Sequence, residues 1–370
     1  MVGYIGTYTE AAFNGKAEGI YSFTLNPESG AVEHFRLAVK TVNPSFLAAG
    51  PKYLYAVNEL DADPGPADQG AGKPGGGVTA FAITGDGGLR QINRVPSEGK
   101  SPCHVVLNDA GTWAVVSNYA SGTAAVLPVH PDGSLGKAAQ VIALSGSGPN
   151  RERQEGPHAH SFFFDKTYTH GFICDLGSDR VMAYGCNRNG YFRNVNVQNG
   201  YAGPLTPAPG YAAKGGAGPR HGVFHPALDI AYIINELDST VTALRYVRGG
   251  FTGLHTVSTL PAGASGAANT GAAIKISADG KYLYASNRGH DSITVFKNDG
   301  NGIPEYLDTV PSGGRIPRDF ALDPTGKWLL VTHQGSDNLT VFRINPAGTL
   351  KQIGDYPVPS PVCVIFTTNA

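Results

Sequence analysis

Charge is scarce in this chain. Asp, Glu, Lys and Arg make up 15% of its 370 residues, and 28 basic against 29 acidic side chains leave a formal net charge of −1. Without a basic excess there is no electrostatic footprint for a nucleic acid or an anionic membrane surface. Cysteine is equally sparse: Cys103, Cys174, Cys186 and Cys363 form no CxxC pair, and three of them fall in apolar runs. That pattern argues for buried thiols rather than a disulfide framework. No stretch approaches the ~18 apolar residues of a membrane helix. The opening MVGYIGTYTE alternates like a strand and lacks the basic and apolar regions of a signal peptide. The reading is a soluble cytoplasmic protein, or a periplasmic one if a leader has been removed. Helical periodicity is missing almost throughout. The glycine-rich KPGGG and KGGAGP precede strands rather than helices, and no GxSxG elbow occurs, so nucleotide-binding and esterase signatures are absent.

What is abundant is glycine (50) and proline (26), spread without a short period, as expected for many tight turns between short strands. The chain also repeats. NPSFLAAGPKYLYAVNE from 43, SPCHVVLNDAGTWAVVSNY from 101 and GPHAHSFFFDKTYTHGFICDLG from 156 share one plan with GPRHGVFHPALDIAYIINE from 218, GAAIKISADGKYLYASNR from 271 and IPRDFALDPTGKWLLVTHQ from 316. Each is a small-residue or proline entry, an apolar strand, a turn rich in Asp, Pro or Gly, and a second apolar strand. Third strands such as SGTAAVLPV and DSITVFK follow, then a weaker fourth. A spacing of about 44 to 62 residues suits four-stranded propeller blades with insertions. Six complete units leave SPVCVIFTT (360–368) as a first strand without successors. VGYIGTYT, GIYSFTLN and AVEHFRLAV remain as second to fourth strands without a first. Together they make a seventh blade, closed by the N- and C-terminal strands, which removes exposed edges. The prediction is an all-β, seven-bladed β-propeller with four antiparallel strands per blade, a single domain over 1–370.

In such a blade the first strand lines the channel and the second runs back beside it, so the start of one and the end of the other share a face. First-strand starts carry His104, His160, Arg220 with His221, and Arg318 with Asp319. Second-strand ends carry Asn58–Glu59, Asn118–Tyr119, Asp175, Asn235–Glu236, Asn287–Arg288 and His333–Gln334. Polar groups converging at the mouth of a closed β-structure mark a ligand site. Other readings stand beside this one. The asparagines suit turns, Glu236 with Arg220 or Arg288 could be a structural ion pair, and His104 could be a satisfied strand-end histidine. His158 and His160 form an HxH that would share a strand face, a spacing zinc sites use, but no third ligand falls at a fixed distance. No metal or cofactor is expected. Two long insertions interrupt the repeat: 61–77 reads as a floppy loop, and 148–160, ending at His160, as either a partial lid or a solvated loop.

These motifs carry a resemblance. GTYT, NPSFLA…YLYAVNE, PHAHS…DLGSDRV, GPRHGVFHP…AYIINEL, GAAIKISADGKYLYASNR and IPRDFALDPTGKWLLVT resemble the seven-bladed propeller lactonase family over essentially the whole chain. That family includes the propeller-type 6-phosphogluconolactonases and the fungal 3-carboxy-cis,cis-muconate lactonizing enzyme. The resemblance implies a metal-free site of one histidine, one glutamate and two arginines. Carried over by motif, these are His160 of PHAHS, Arg220 of GPRH, Glu236 of NEL and Arg288 of SNR. His158 competes with His160, which is preferred because it aligns with His104 and His221. His160 and Glu236 would be catalytic, with the choice of base open. Arg220, Arg288, His158, His221, Asn118 and His333 would bind substrate. The implied activity is hydrolysis of a small anionic sugar-acid lactone. A muconate-type cycloisomerase acting on a dicarboxylate, or a non-catalytic propeller scaffold, are the alternatives.

Overall fold

The second strands of the repeat are apolar along nearly their whole length, so each must be covered on both faces. In the computed structural model they are. The model describes residues 1–62, 75–186, 192–193, 207–266 and 268–367; most of the 61–77 insertion therefore lies outside the described residues. Leu54–Asn58, Ala114–Asn118, Gly171–Asp175, Ile230–Asn235 and Trp328–His333 are buried without a break. Outermost strands such as Val32–Lys40 and Leu350–Pro357 are largely exposed.

The strands form seven antiparallel sheets, each of four strands, with an extra strand in the third. The C-terminal strand Pro361–Phe366 pairs with Val2–Thr7, which continues to Gly19–Leu25 and Val32–Lys40. The innermost strands touch one another in succession around the ring, the last (Pro361–Phe366) against the first (Leu47–Ala49). The core is divided in the same way. Seven buried apolar clusters among the described residues each lie between two successive blades. Tyr4, Ile20 and Cys363, for example, pack on Leu47, Leu54 and Phe81. This is an all-β seven-bladed propeller.

Several of the hairpins between first and second strands are tied by a side chain at the entry. Asp323 accepts from the backbone N–H of Thr325 and Trp328, Asp165 from Thr169 and His170, and Asn108 from Thr112 and Trp113. Such turns put the six hairpins on one face of the disc and leave strand starts and ends together on the other.

Candidate active site

The first strands do not begin regularly. Register shifts occur between Pro102 and His104, Ala159 and Ser161, Pro219 and His221, and Pro317 and Asp319. Each leaves one residue bulged out of the ladder: Cys103, His160, Arg220 and Arg318. A bulge re-aims a side chain and is common beside functional sites. Here it turns the bulged residue toward the channel mouth and the next residue inward. The alignment of His160 with His104 and His221 is thereby corrected: the structural counterpart of His160 is Arg220, and His104 and His221 lie one position deeper. The bulge also breaks the strand parity on which the HxH pair depends.

Glu236 is the hub. Its Oε2 lies 3.0 Å from Arg220 Nε, 2.7 Å from Arg288 Nη2 and 3.8 Å from His160 Nε2, and its Oε1 lies 2.5 Å from Arg153 Nη2. Four segments from three blades and one insertion therefore meet on one carboxylate. Arg220 also donates to the Ala272 carbonyl at 2.6 Å and Arg288 to that of Gly271 at 3.1 Å. The backbones come this close because position 271 is glycine; a Cβ there would lie 2.7 Å from the Asn235 carbonyl oxygen.

The insertion 148–160 is an ordered cover. Asn150 Oδ1 accepts from the N–H groups of Glu152 and Arg153 at 3.2 Å. The fully buried Gln154 donates to the Leu176 carbonyl at 2.9 Å. Arg153 is thereby delivered to Glu236 and to the Tyr119 hydroxyl, 3.3 Å away.

A cavity of about 280 Å³ is lined by Glu59, Cys103, Tyr119, Arg153, His160, Glu236, Arg288 and Arg318. Two larger grooves, about 510 and 560 Å³, lie on the hairpin face, at Gly111 and at Gly326. They are related by the repeat, with Tyr53 and Tyr55 in one matching Tyr282 and Tyr284 in the other, and belong to blade packing.

Burial and charge set the protonation states. Burial penalises an ionised Glu236, but Arg288, Arg220, His160 and Arg153 outweigh it and hold the carboxyl well below the usual carboxylate range. Burial, then the charge of Arg220, pushes His160 well below the ordinary imidazole value, so the ring is neutral near pH 7. Its Nδ1 lies 3.8 Å from Cys103 Sγ. Burial raises that thiol, which stays protonated.

The remaining predicted residues are placed elsewhere. Arg220 lies beneath the cavity, 3% exposed, and holds Glu236 rather than lining the space. His158 stacks on Tyr119 at 4.4 Å, with Nδ1 3.0 Å from the Tyr119 carbonyl and Nε2 3.2 Å from Glu155. His221 sits deeper, 5.4 Å from the His160 ring and 5.5 Å from that of His104, whose other face packs on Phe46 at 4.3 Å. Asn118 does not line the cavity; it donates to the Ser97 carbonyl at 2.8 Å and so fastens the crossover from the preceding blade. Asn58 and Asn287 hold Val42 and Thr259 in the same way. His333 is completely buried at the corresponding place in the sixth blade, close to the Ser312 backbone. The turn-and-crossover reading of this column thus fits its geometry. Among the described residues no three His, Cys, Asp or Glu side chains are grouped to hold a metal ion.

Of the cavity residues, Glu59, Tyr119 and Arg318 stand in the strand-end columns; Glu59 and Arg318 also fall inside the motifs that carry the resemblance, yet none of the three was given a role in the site. Arg153 was hidden in an insertion. Cys103 is the bulge residue beside the more conspicuous His104.

The sequence model described as "Lactonase, 7-bladed beta-propeller" matches residues 2–366. The chain is 36% identical over 330 residues to a protein of Bacillus subtilis named 6-phosphogluconolactonase, covering 88% of this chain and 85% of that one. A Formosa agariphila protein of the same name is 32% identical, covering 87% and 86%. Among solved structures, a Pseudomonas aeruginosa protein described as a periplasmic gluconolactonase superposes with a TM-score of 0.86 at 30% identity, over 100% of this chain and 99% of that one. Bulged strand starts, a carboxylate hub on the non-hairpin face and these likenesses lead to one conclusion: the chain belongs to the seven-bladed β-propeller lactonase family.

Proposed function

We propose that this protein hydrolyses a small anionic sugar-acid lactone at the cavity above Glu236, as the relatives named 6-phosphogluconolactonase suggest. The observation that carries the reading is a neutral histidine beside a carboxylate locked by three arginines.

Glu236 is a poor base in that setting, because protonating it would break its ion pairs. His160 is neutral, buried and aimed at the cavity, which suits it as general base. In this scheme His160 takes a proton from water as the water oxygen bonds to the lactone carbonyl carbon. Arg288 and Arg153, at the cavity edge, stabilise the resulting oxyanion. The tetrahedral centre then expels the ring oxygen, which recovers the proton from the imidazolium, and the open-chain acid ionises. Glu236 supports the transient imidazolium from 3.8 Å, the part a carboxylate plays beside a catalytic histidine elsewhere. Arg220 positions Glu236. No step requires a metal or an organic cofactor.

The test is a panel of lactones, 6-phosphogluconolactone, gluconolactone and muconolactone types, with proton release followed against the spontaneous rate. Acceleration of a sugar-acid lactone supports the reading. Formation of a lactone from a muconate, with no hydrolysis, would favour a cycloisomerase. No turnover of any would leave a scaffold.

A further inference from the structure

The cavity has a second charged end that the proton chemistry does not use. Arg318 is the bulge residue of the sixth blade and lines the cavity. Its guanidinium lies over the Tyr8 ring, 5.4 Å from the centroid. Tyr8 donates its hydroxyl to Glu59 Oε2 at 2.9 Å and stacks on Phe13 at 4.6 Å. These residues come from the sixth, seventh and first blades, across the mouth from the His160–Glu236 cluster of the third and fourth.

The arginines around Glu236 are already spoken for; Arg318 is not. Arg153, Arg220 and Arg288 each pair with Glu236. No carboxylate among the described residues lies within ion-pair distance of Arg318, although it is half-buried. In and directly beneath the cavity four guanidinium groups face two carboxylates, Glu59 and Glu236, which leaves two positive charges uncompensated. A partly desolvated excess of that size calls for an anionic ligand, and a phosphate monoester carries about that charge at neutral pH.

Building on the lactonase reading, we propose that Arg318, held over Tyr8, is the phosphate anchor of the site. It would select a phosphorylated sugar lactone over its phosphate-free counterpart, with Glu59 accepting hydrogen bonds from sugar hydroxyls. A planar guanidinium presents paired donors to phosphate oxygens, and the aromatic platform limits its orientations.

The experiment compares wild type, Arg318→Met and Arg318→Lys in two assays: hydrolysis of 6-phosphogluconolactone against gluconolactone, and calorimetric binding of the products 6-phosphogluconate and gluconate. Melting temperatures verify folding, and Arg318→Lys, which keeps the charge, serves if the methionine variant does not fold. Arg318→Met is expected to raise KM for the phosphorylated lactone, and Kd for 6-phosphogluconate, by about 10- to 100-fold. Arg318→Lys should lose a smaller part, and the phosphate-free pair should lose at least about tenfold less than the phosphorylated pair. Equal losses on both substrates, no loss on either, or no binding of 6-phosphogluconate by the wild type would overturn the proposal. The lactonase reading fails separately. A wild type that binds 6-phosphogluconate through Arg318 but hydrolyses neither lactone would keep the anchor and remove the activity.

Discussion

Arg153 Nη2 and Glu236 Oε1 lie 2.5 Å apart although 83 residues separate them in sequence. Arg220 reaches the other oxygen of the same carboxylate from beneath. The two pairs look alike on paper and differ in burial: the Arg153 side chain is 39% exposed, that of Arg220 3%.

Arg153→Met should therefore change melting temperature little, since half-exposed ion pairs contribute about 0–1 kcal/mol. It should still raise KM and lower kcat for the lactone. Arg220→Met leaves a buried carboxylate short of a partner and should cost about 3–5 kcal/mol. Denaturant unfolding of the two variants checks this, and equal destabilisation would show that the 148–160 cover is as rigid a support as the blade strands.

Stability should fall on the acid side of neutrality. Burial places His104 at about 3 and His333 at about 4, and holds His160 and His221 well below the ordinary value. Unfolded, each titrates near 6.5. Between these limits the unfolded chain binds protons that the folded chain refuses, so stability is complete above about pH 6.5 and drops as pH falls through the window. Glu236, held low when folded, adds to the loss below about 4.5. Melting temperature against pH should be flat above 7 and decline below 6.5. His333→Asn, which installs the residue other blades use there, should make the decline shallower. A profile that is level down to pH 5 would contradict the assignment of neutral buried imidazoles.

Asn287 is fully buried. It donates to Thr259 O, Ser292 Oγ and Thr294 Oγ1, and accepts from Thr259 Oγ1 at 2.6 Å. Asn287→Ala strands several of these groups and should cost at least about 1–3 kcal/mol. KM should be unchanged, because the residue fastens a crossover and does not line the cavity. A KM effect at unchanged stability would return the asparagine column to substrate binding.

The fold could be read in the sequence because its signal is repeated. Each unit shows an apolar strand, a polar turn and a second apolar strand, and the incomplete ends at 2–40 and 360–368 complement one another. Arg220, Glu236 and Arg288 were legible because strand polarity alone puts strand starts and ends on one face. His221, Asn118 and His333 were drawn into the site by the same rule, which knows position along a strand but not direction, and His158 by its HxH spacing from His160. A one-residue bulge decides that direction. It is invisible in a run such as SPCHVV, where Cys103 rather than His104 faces the cavity. Arg153 could not be found from strands at all, since its place depends on Gln154 anchoring a loop to the Leu176 carbonyl.

The central claim is that His160 and Glu236 move and support the proton of lactone hydrolysis. The direct measurement is kcat/KM on the preferred lactone for His160→Ala, Glu236→Gln and the double variant, with circular dichroism and melting temperature confirming the fold. Each single change is expected to lower kcat by about 10²- to 10⁴-fold. The double variant should be little worse than the more impaired single, because the two act as one unit. Near-wild-type turnover in the folded double variant would contradict the account.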